Sequence, residues 1–450
     1  MRKMHAFWSL TLFTAMSIAV ADSRAPISPA DRGKDLLLTR IYTTPIWSDT
    51  AYENVWKQWG LPSKPDNHAE TFANRYGLHA APYDNHGLPM GMRTTTGLLG
   101  GKMITNDCLL CHGGSILGKS YIGLGNASLD MQALYEEMAA ADGRARKTPF
   151  PFSNTRGTTE AGAMAVYLFQ FRDADLKVGA PIDLELKADM CEDPPAWWLL
   201  KKKKTMYWTG STPSRSVRSI MQFALSPLHT AETIHKWEPD FADIQAYILS
   251  LEPPKYPLAI DEALAARGEK LFVQNCSRCH GTYGANWSYP NKIIPLEQIG
   301  TDPARADGIS AKAEEHYLKT WFGKELQPDG APYAHARHRG YQPPPLDGIW
   351  ATAPYFHNGS APTLYHVLNS KARPKYFTRS YRTGLVDYDP VKVGWQIVVL
   401  DRPAHGAAPA IERRKIYDTT LPGRGNGGHT FSDKLTDDER MAVIEYLKSL

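Results

Sequence analysis

The chain has 450 residues, 42% of them hydrophobic, and a formal net charge of +4 at pH 7. This composition is that of a globular protein, and the length suffices for two or three domains at roughly 100–200 residues each. Removal of Arg2 and Lys3 with an N-terminal signal peptide would bring the net charge to about +2, which is too close to neutral to predict nucleic-acid binding. Glycine (35) and proline (33) are abundant, so long irregular loops are expected.

The N-terminus has the layout of a secretory signal peptide. Arg2 and Lys3 precede an apolar run that ends in Ala19-Val20-Ala21, a small-residue cleavage site. We therefore expect residues 1–21 to be removed by cleavage after Ala21, and the mature protein to be periplasmic. The apolar run is shorter than the roughly 20 residues that a spanning helix needs, so no membrane span is predicted.

Four of the five cysteines fall in two copies of one pattern, CLLCH and CSRCH. The pattern C-x-x-C-H is the attachment signal of c-type haem, in which two thiols bond the two vinyl groups of one porphyrin and the histidine reaches the iron. The sequence thus predicts two covalently attached haem c groups. Their attachment residues are Cys108, Cys111, Cys276 and Cys279, and their proximal ligands are His112 and His280.

Two other uses of these cysteines fit the sequence less well. A single zinc site would have to gather pairs 168 positions apart, and neither pair has a second close Cys or His pair of its own. A redox dithiol is typical of a βαβ context, which the Gly- and Pro-rich flanks do not provide. The fifth cysteine, Cys191, is expected to be a small buried residue.

Around the second motif the sequence predicts a pair of helices. Asp261 can begin a helix in which Gly268 and Phe272 share one face just before the motif. Near the C-terminus, Thr436 opens a Thr-x-x-Glu capping box that is followed by an apolar stripe. We expect the two helices to cross at Gly268 with Phe272 against Tyr446, an arrangement that resembles the helix pair of small class I cytochromes c.

The segment FADIQAYILSLEPPKYP is similar to this C-terminal helix and then runs into prolines, which end helices. It predicts a domain boundary and a cytochrome unit that occurs twice. The predicted fold class is mainly α, with two cytochrome c-like haem domains and long irregular loops. The predicted segments are a signal peptide (1–21), an N-terminal extension of undefined fold (22–90), a first haem c domain (91–252), a linker (253–260) and a second haem c domain (261–450).

At YQPPPLDGIWATAPYFHNGSAPTLYHVL the chain resembles the bacterial di-haem cytochrome c peroxidase superfamily, which has a Thr-Ala-Pro-Tyr-Phe-His-Asp-Gly-like segment after its second haem motif. YPNKIIPLEQIGTDPAR and GNGGHTF are more similar to the branch of the di-haem rubber oxygenases. The resemblance implies a calcium ion bound by the backbone carbonyls of Thr352 and Pro354. It also implies a methionine ligand 14 positions after His357, where this chain has Lys371, so a His/Met haem is not expected there.

For the sixth ligand of the second iron the sequence favours His429, because its glycine-rich loop lets backbone approach a flat macrocycle just before the final helix. The alternative is an exposed loop histidine. His357, in an Asn-Gly turn, is expected beside this haem with its ring hydrogen-bonded to a propionate or a backbone carbonyl, and direct coordination by His357 is the other option. For the first iron no ligand is evident: Met103 and Met221 are the options, and Met221 in SIMQFAL is more typical of a core.

An aromatic tract follows the first motif, and its side chains either pack a core or lie along an electron path between the haems. Its members are Trp197, Trp198, Tyr207, Trp208 and Phe223.

Two functions are consistent with these features. One is an exported di-haem redox enzyme in which one iron reacts with peroxide or dioxygen while the other relays electrons, with rubber-oxygenase-like activity on an apolar polymer or lipid as a narrower version. The other is a periplasmic electron carrier with two six-coordinate haems. Either would exchange electrons with a redox partner protein or a small oxidant, and the run Lys201–Lys204 is then a solvated face or a docking site for an acidic partner.

Overall fold

The computed structural model describes residues 27–145 and 147–450, so the predicted signal peptide lies outside the described residues. The fold is a mixture, with 35% of residues helical and 12% in strands. The expectation of a mainly α fold is therefore corrected. Its strands are only two to five residues long, and most of them pair to close loops around the helices.

The first half begins with three helices and a small sheet and ends with a long helix after the aromatic tract. Its helices are α1 (Pro29–Thr39), α2 (Asp49–Asn54), α3 (His68–Tyr76), α4 (Leu109–His112), α5 (Met131–Ala141), α6 (Ala161–Phe169), α7 (Val217–Met221), α8 (Ala231–Lys236) and α9 (Glu238–Ser250). Its strands are β1 (Trp47–Ser48), β2 (Met92–Thr96), β3 (Lys102–Asn106), β4 (Gly113–Ile116), β5 (Lys119–Ile122), β6 (Thr205–Met206) and β7 (Thr212–Pro213). The order β1-β3-β2 makes an antiparallel sheet, and β4-β5 and β6-β7 are hairpins.

The second half follows a linker, residues 253–260, that contains no helix or strand. Its helices are α10 (Glu262–Asn275), α11 (Ser277–His280), α12 (Leu296–Ile299), α13 (Ala311–Lys319), α14 (Leu364–Leu368), α15 (Ala410–Arg414) and α16 (Asp437–Lys448). Its strands are β8 (Ile294–Pro295), β9 (Gly340–Tyr341), β10 (Tyr376–Thr378), β11 (Tyr388–Asp389), β12 (Gly394–Trp395), β13 (Val398–Leu400) and β14 (Ile416–Asp418). The antiparallel sheet β13-β10-β14 is the largest in this half.

The helix pair predicted around the second motif is confirmed. The Asp261 side chain accepts a hydrogen bond from the Leu264 N–H and begins α10, and both bonds of the capping box at Thr436 are formed at the start of α16. A Cβ added to Gly268 would lie 1.9 Å from the Ala442 carbonyl oxygen, so only glycine allows this approach of the two backbones. The ring centroids of Phe272 and Tyr446 are 5.4 Å apart.

A second crossing of the same kind joins α1 to α9. A Cβ added to Gly33 would lie 1.9 Å from the Asp243 carbonyl oxygen, and Gly33 stands in RGKDLL as Gly268 stands in RGEKLF. Asp243 precedes Tyr247 by the same four positions by which Ala442 precedes Tyr446. We infer that α1, which falls in the segment expected to be an extension, belongs to the first cytochrome unit.

The two halves share two of the hydrophobic cores, and the larger contribution of the second half is to the core around Trp350. Ile116, Leu124 and Trp198 of the first half pack with the buried side chains of the second, including Trp350. The Trp198 indole N–H donates to the Asp347 carbonyl oxygen over 2.9 Å. Because these contacts join residues on either side of the linker, they hold the two halves against each other.

Among the described residues, no helix is both long enough and apolar enough to cross a membrane.

Candidate functional site

A cavity of about 590 Å³ runs between the two halves and is lined by both C-x-x-C-H motifs. The predicted residues that line it are Cys108, Cys111, His112, Cys276, Cys279, His280, Thr352, Pro354, His357 and His429. Residues 168 positions apart in sequence thus share one largely apolar enclosure. A flat macrocycle needs such a space beside its attachment cysteines.

Both proximal histidines are oriented in the same way. His112 ends the short helix α4 and His280 ends α11. Nδ1 of His112 lies 3.2 Å from the Pro195 carbonyl oxygen, and Nδ1 of His280 lies 2.9 Å from that of Pro344. A carbonyl can only accept, so each Nδ1 carries the proton and each Nε2 keeps a free lone pair.

Burial favours the uncharged state of these groups. It lowers the pKa of His112 to about 4, because the hydrogen bond to Pro195 only partly offsets the loss of hydration. It raises the pKa of Cys111 and of Cys276 to about 12. None of the five cysteines forms a disulfide, so all four motif thiols are available for thioether bonds. In the described ranges, no three or more His, Cys, Asp or Glu side chains are grouped so that they could hold a metal ion.

Opposite His280, the second motif is faced by His429. Their ring centroids are 6.3 Å apart with an interplanar angle of 62°. Two imidazoles that bind one metal through bonds of about 2 Å have centroids roughly 6 Å apart, so the spacing suits an iron between them. His429 is therefore a cavity residue, and the alternative of an exposed loop histidine is wrong.

The backbone of the His429 loop is unusual. Gly428 has φ +70° and His429 has φ +46°, both in the left-handed region. A Cβ on Gly428 would lie 2.2 Å from the Gly300 carbonyl carbon, and the His429 N–H donates to the Ile299 carbonyl oxygen over 2.7 Å. The glycine-rich sequence thus allows the loop to lie directly on the end of α12.

His357 lies farther from the motif. Its ring stacks on Tyr341 with centroids 4.0 Å apart, and its Nε2 is buried without a hydrogen-bond partner in the protein. Burial lowers the pKa of His357 to about 3, so the ring is neutral. A buried, unpartnered ring nitrogen suits a ligand that the protein atoms do not supply. Whether that ligand is a haem propionate stays a prediction, as does the calcium site at Thr352 and Pro354.

The remaining candidates lie elsewhere. Lys371 is exposed in a 3₁₀ turn and does not line the cavity. The lysine therefore does not take over the role of the methionine ligand that the resemblance implies at this position. Met221 is 1% exposed within the core of the first half, as expected, and neither it nor Met103 lines the cavity. Cys191 is fully buried beside Thr158.

The surroundings of His112 differ from those of His280. Its neighbouring ring is Trp197, with centroids 4.9 Å apart, and no described histidine faces it as His429 faces His280. Helix α6, which shares a hydrophobic core with Leu109 of the first motif, adds small and apolar side chains to the cavity wall. These are Ala161, Gly162, Met164, Ala165, Val166 and Phe169.

Trp208 connects the two loops whose proline carbonyls accept hydrogen bonds from His112 and His280. Its indole N–H donates to the Asp193 carbonyl oxygen over 3.1 Å, two residues before Pro195. Its own carbonyl accepts from the Gln342 N–H over 2.8 Å, two residues before Pro344. The aromatic tract suggested such a residue, but only the fold shows which tryptophan joins the loops.

A buried ion pair in the cavity wall was not predicted. Glu192 and Arg305 are 2.7 Å apart with side chains 8% and 7% exposed, and Glu192 also accepts from the Gly162 N–H. Both residues line the cavity. Lone charged residues in loops carry no sequence signal, so this pair required the structure.

Comparisons with known proteins agree with a cytochrome. Residues 340–378 match the family described as RoxA-like, cytochrome c-like. Uncharacterized protein y4iM of Sinorhizobium fredii (strain NBRC 101917 / NGR234) is 31% identical over 57% of this chain and 64% of its own length. Uncharacterized protein y4iJ of the same strain is 32% identical over 44% of this chain and 41% of its own length. The match therefore spans less than two thirds of either relative.

Among solved structures, a MauG-like protein associated with microbial copper homeostasis aligns with 68% of this chain and 90% of its own, at 15% identity and a TM-score of 0.28. The family match contains Thr352, Pro354 and His357 and supports the resemblance to the di-haem cytochrome superfamily. The rubber-oxygenase branch within it stays a prediction.

Proposed function

We propose that this protein is an exported di-haem c-type cytochrome that reduces peroxide or dioxygen at its first haem and takes up electrons through its second. The observation that carries the proposal is the shared cavity, in which both motif histidines are held by proline carbonyls and, among the described residues, the neighbouring ring is a histidine at His280 but a tryptophan at His112. Bound haem c would supply the redox-active irons.

The residues divide the work between the two motifs. Cys108 and Cys111 would attach one haem and Cys276 and Cys279 the other. Pro195 and Pro344 would hold the proximal rings in one tautomer, which raises the basicity of the ligating nitrogen. These anchors keep both rings aimed into the cavity before any cofactor arrives.

The second motif suits electron transfer. Ligation by His280 and His429 would fill both axial positions and leave no room for an exogenous ligand. Ligation by two histidines also sets a lower potential than His/Met ligation. The second haem would then receive electrons from a periplasmic redox partner, and Trp208, hydrogen-bonded to Asp193 and Gln342 near the two proline carbonyls, would be a relay to the first.

The first motif suits a reaction with a small oxidant. The wall contributed by α6 is apolar and would exclude water, and no described histidine faces His112. Glu192 is a cavity-lining acid in contact with this wall, since it accepts a hydrogen bond from the Gly162 N–H of α6. A small oxidant fits this enclosure better than a protein substrate does.

Spectra of the purified holoprotein test the proposal. We expect one low-spin haem and one high-spin haem, and carbon monoxide should bind at one haem per chain. Two low-spin haems that ignore carbon monoxide would instead support the non-catalytic electron carrier. The measurement is optical and EPR spectroscopy of oxidised and reduced protein.

Replacement of His429 tests the ligand assignment. His429→Ala should convert the remaining low-spin haem to high spin and double the carbon monoxide bound per chain. His229→Ala is the matched control, because His229 lies in the corresponding stretch before α9, packs against Trp237 and does not line the cavity. An unchanged spectrum in His429→Ala would exclude His429 as the ligand.

A further inference from the structure

Arg373 holds the backbone of the loop that carries His429. Its Nη1 donates to the carbonyl oxygens of Asn426 and Gly428, each over 2.7 Å. Its Nη2 donates to the carbonyl oxygen of His429 itself over 3.3 Å. Three of the carbonyls between 426 and 429 therefore converge on one guanidinium, a density of contacts that fixes the path of the loop.

The same guanidinium is tied to the second unit through α14. Its Nε donates to the His366 carbonyl oxygen over 2.8 Å, and Nη2 donates to that of Val367 over 3.2 Å. Both acceptors belong to the last turns of a helix that packs against α16. Arg373 thus joins the His429 loop to the rigid part of the unit.

The loop needs such support. Gly428 and His429 are both left-handed, a conformation that a non-glycine residue adopts only when its surroundings impose it. The glycine at 428 removes the clash with Gly300 but adds no restraint of its own. The carbonyl contacts of Arg373 are the restraint on the other side of the loop.

An ordinary surface arginine would be paired with a carboxylate, and Arg373 is not. In the part of the chain that the structure describes, it has no ion pair, and the nearby Asp433 accepts instead from the N–H and hydroxyl of Ser370. Its guanidinium lies 4.9 Å from the centre of the Phe356 ring, which in turn lies 5.8 Å from the His429 ring. The guanidinium thus places a positive charge close to the His429 imidazole, and the Asp433 carboxylate, without a direct ion pair, offsets part of its field.

We propose that Arg373 is a positioning residue that sets the His429 ring opposite His280 and adds a positive charge beside the second iron. This inference rests on the proposed function, in which His429 is the distal ligand. It also gives a role to the segment around Lys371, where the resemblance implies a methionine ligand. In this chain the segment carries no methionine there, but two residues later it supplies Arg373, which holds the His429 loop in place.

Two variants separate the two effects of Arg373. Arg373→Gln removes the charge and most of the donors, so the second haem should gain a high-spin, carbon monoxide-binding fraction and its reduction potential should fall. Arg373→Lys keeps the charge but cannot bridge five carbonyls, so the high-spin fraction should appear with a smaller change in potential. Lys371→Gln, two residues away and exposed, is the matched control and should change neither quantity.

EPR, carbon monoxide titration and potentiometry of the holoprotein give the readouts, with His429→Ala measured beside them. A normal spin state and potential in both Arg373 variants, together with an altered His429→Ala spectrum, would overturn the clamp and leave the proposed ligand intact. An unaltered His429→Ala spectrum would overturn both. If Arg373→Gln does not fold, Arg373→Lys decides, since a wild-type spin state in it contradicts the proposal.

Discussion

The two C-x-x-C-H motifs lie in halves of the chain that share a helix crossing and a histidine held by a proline carbonyl, but the residue facing that histidine differs. In each copy a helix before the motif crosses the closing helix at a glycine, and in each the motif histidine binds a proline carbonyl. Counting back 21 residues from the last leucine of each closing segment leads to His429 in the second copy and to Thr230 in the first. Thr230 caps α8 through its hydroxyl and is not a cavity residue.

This difference shows how a repeated fold can divide its roles. The scaffold that attaches and orients a haem is kept twice, because both copies need it. The stretch before the closing helix varies: in the first copy it is a helix cap, and in the second a glycine-rich loop brings an imidazole to the cavity. In the proposed function, axial ligation is thus set by the loop before the closing helix and not by the helix pair.

The largest expected effect comes from removing one pair of motif cysteines. Cys108→Ser with Cys111→Ser should lower the covalent haem content from two to one per chain, and Cys276→Ser with Cys279→Ser should do the same, because thioether bonds need both thiols. Pyridine haemochrome spectra and haem-stained denaturing gels give the count. Cys191→Ser is the control and should retain two. If loss of Cys108 and Cys111 left the covalent haem content unchanged, the two motifs would not be equivalent.

The glycine crossings should have an intermediate effect on stability. Gly33→Ala and Gly268→Ala each place a Cβ within 2 Å of a carbonyl oxygen, so the helices must move apart. Overpacking of this kind costs about 1–3 kcal/mol, more than the gain in helix propensity. Chemical denaturation of the holoprotein measures the loss. Gly406→Ala, which meets no atom within 4 Å, should be neutral, and a neutral Gly33→Ala would mean that the first crossing is not equivalent to the second.

The smallest effect is expected at Thr230. Thr230→Ala removes the side-chain cap of α8 and should lower the free energy of unfolding by about 1 kcal/mol. Both haem spectra should stay unchanged, in contrast with His429→Ala. Thr230→Ser, which keeps the hydroxyl, is the control for stability. A haem spectrum that responds to Thr230→Ala would contradict the asymmetry between the copies.

Local signals in the sequence predicted much of the second copy. Asp261, Gly268 and the capping box at Thr436 act within one helix or one crossing, so spacing alone locates them. The first copy was harder, because the partner of α9 lies more than 200 residues upstream and shares only a short RG-x-x-L pattern. The short strands escaped prediction since two-residue pairs have no periodicity of their own.

The site itself was predictable where a motif or a local loop pattern marks a residue, as at the two C-x-x-C-H motifs and at His429. The C-x-x-C-H spacing identifies the thiols and the proximal rings, but their proline carbonyls are 83 and 64 residues away in sequence. Trp208 and Arg373 act through backbone carbonyls, and a carbonyl acceptor leaves no trace in residue identity. Such contacts depend on the tertiary fold alone.

The bond from Trp198 to Asp347, together with the core around Trp350, has a consequence for attempts to dissect the molecule. A chain cut within 253–260 would divide that core and leave apolar surface on both fragments. Neither fragment should therefore behave as an autonomous monomeric cytochrome, although each carries a complete haem-attachment motif. The two proposed haem sites would then belong to a single unit of folding.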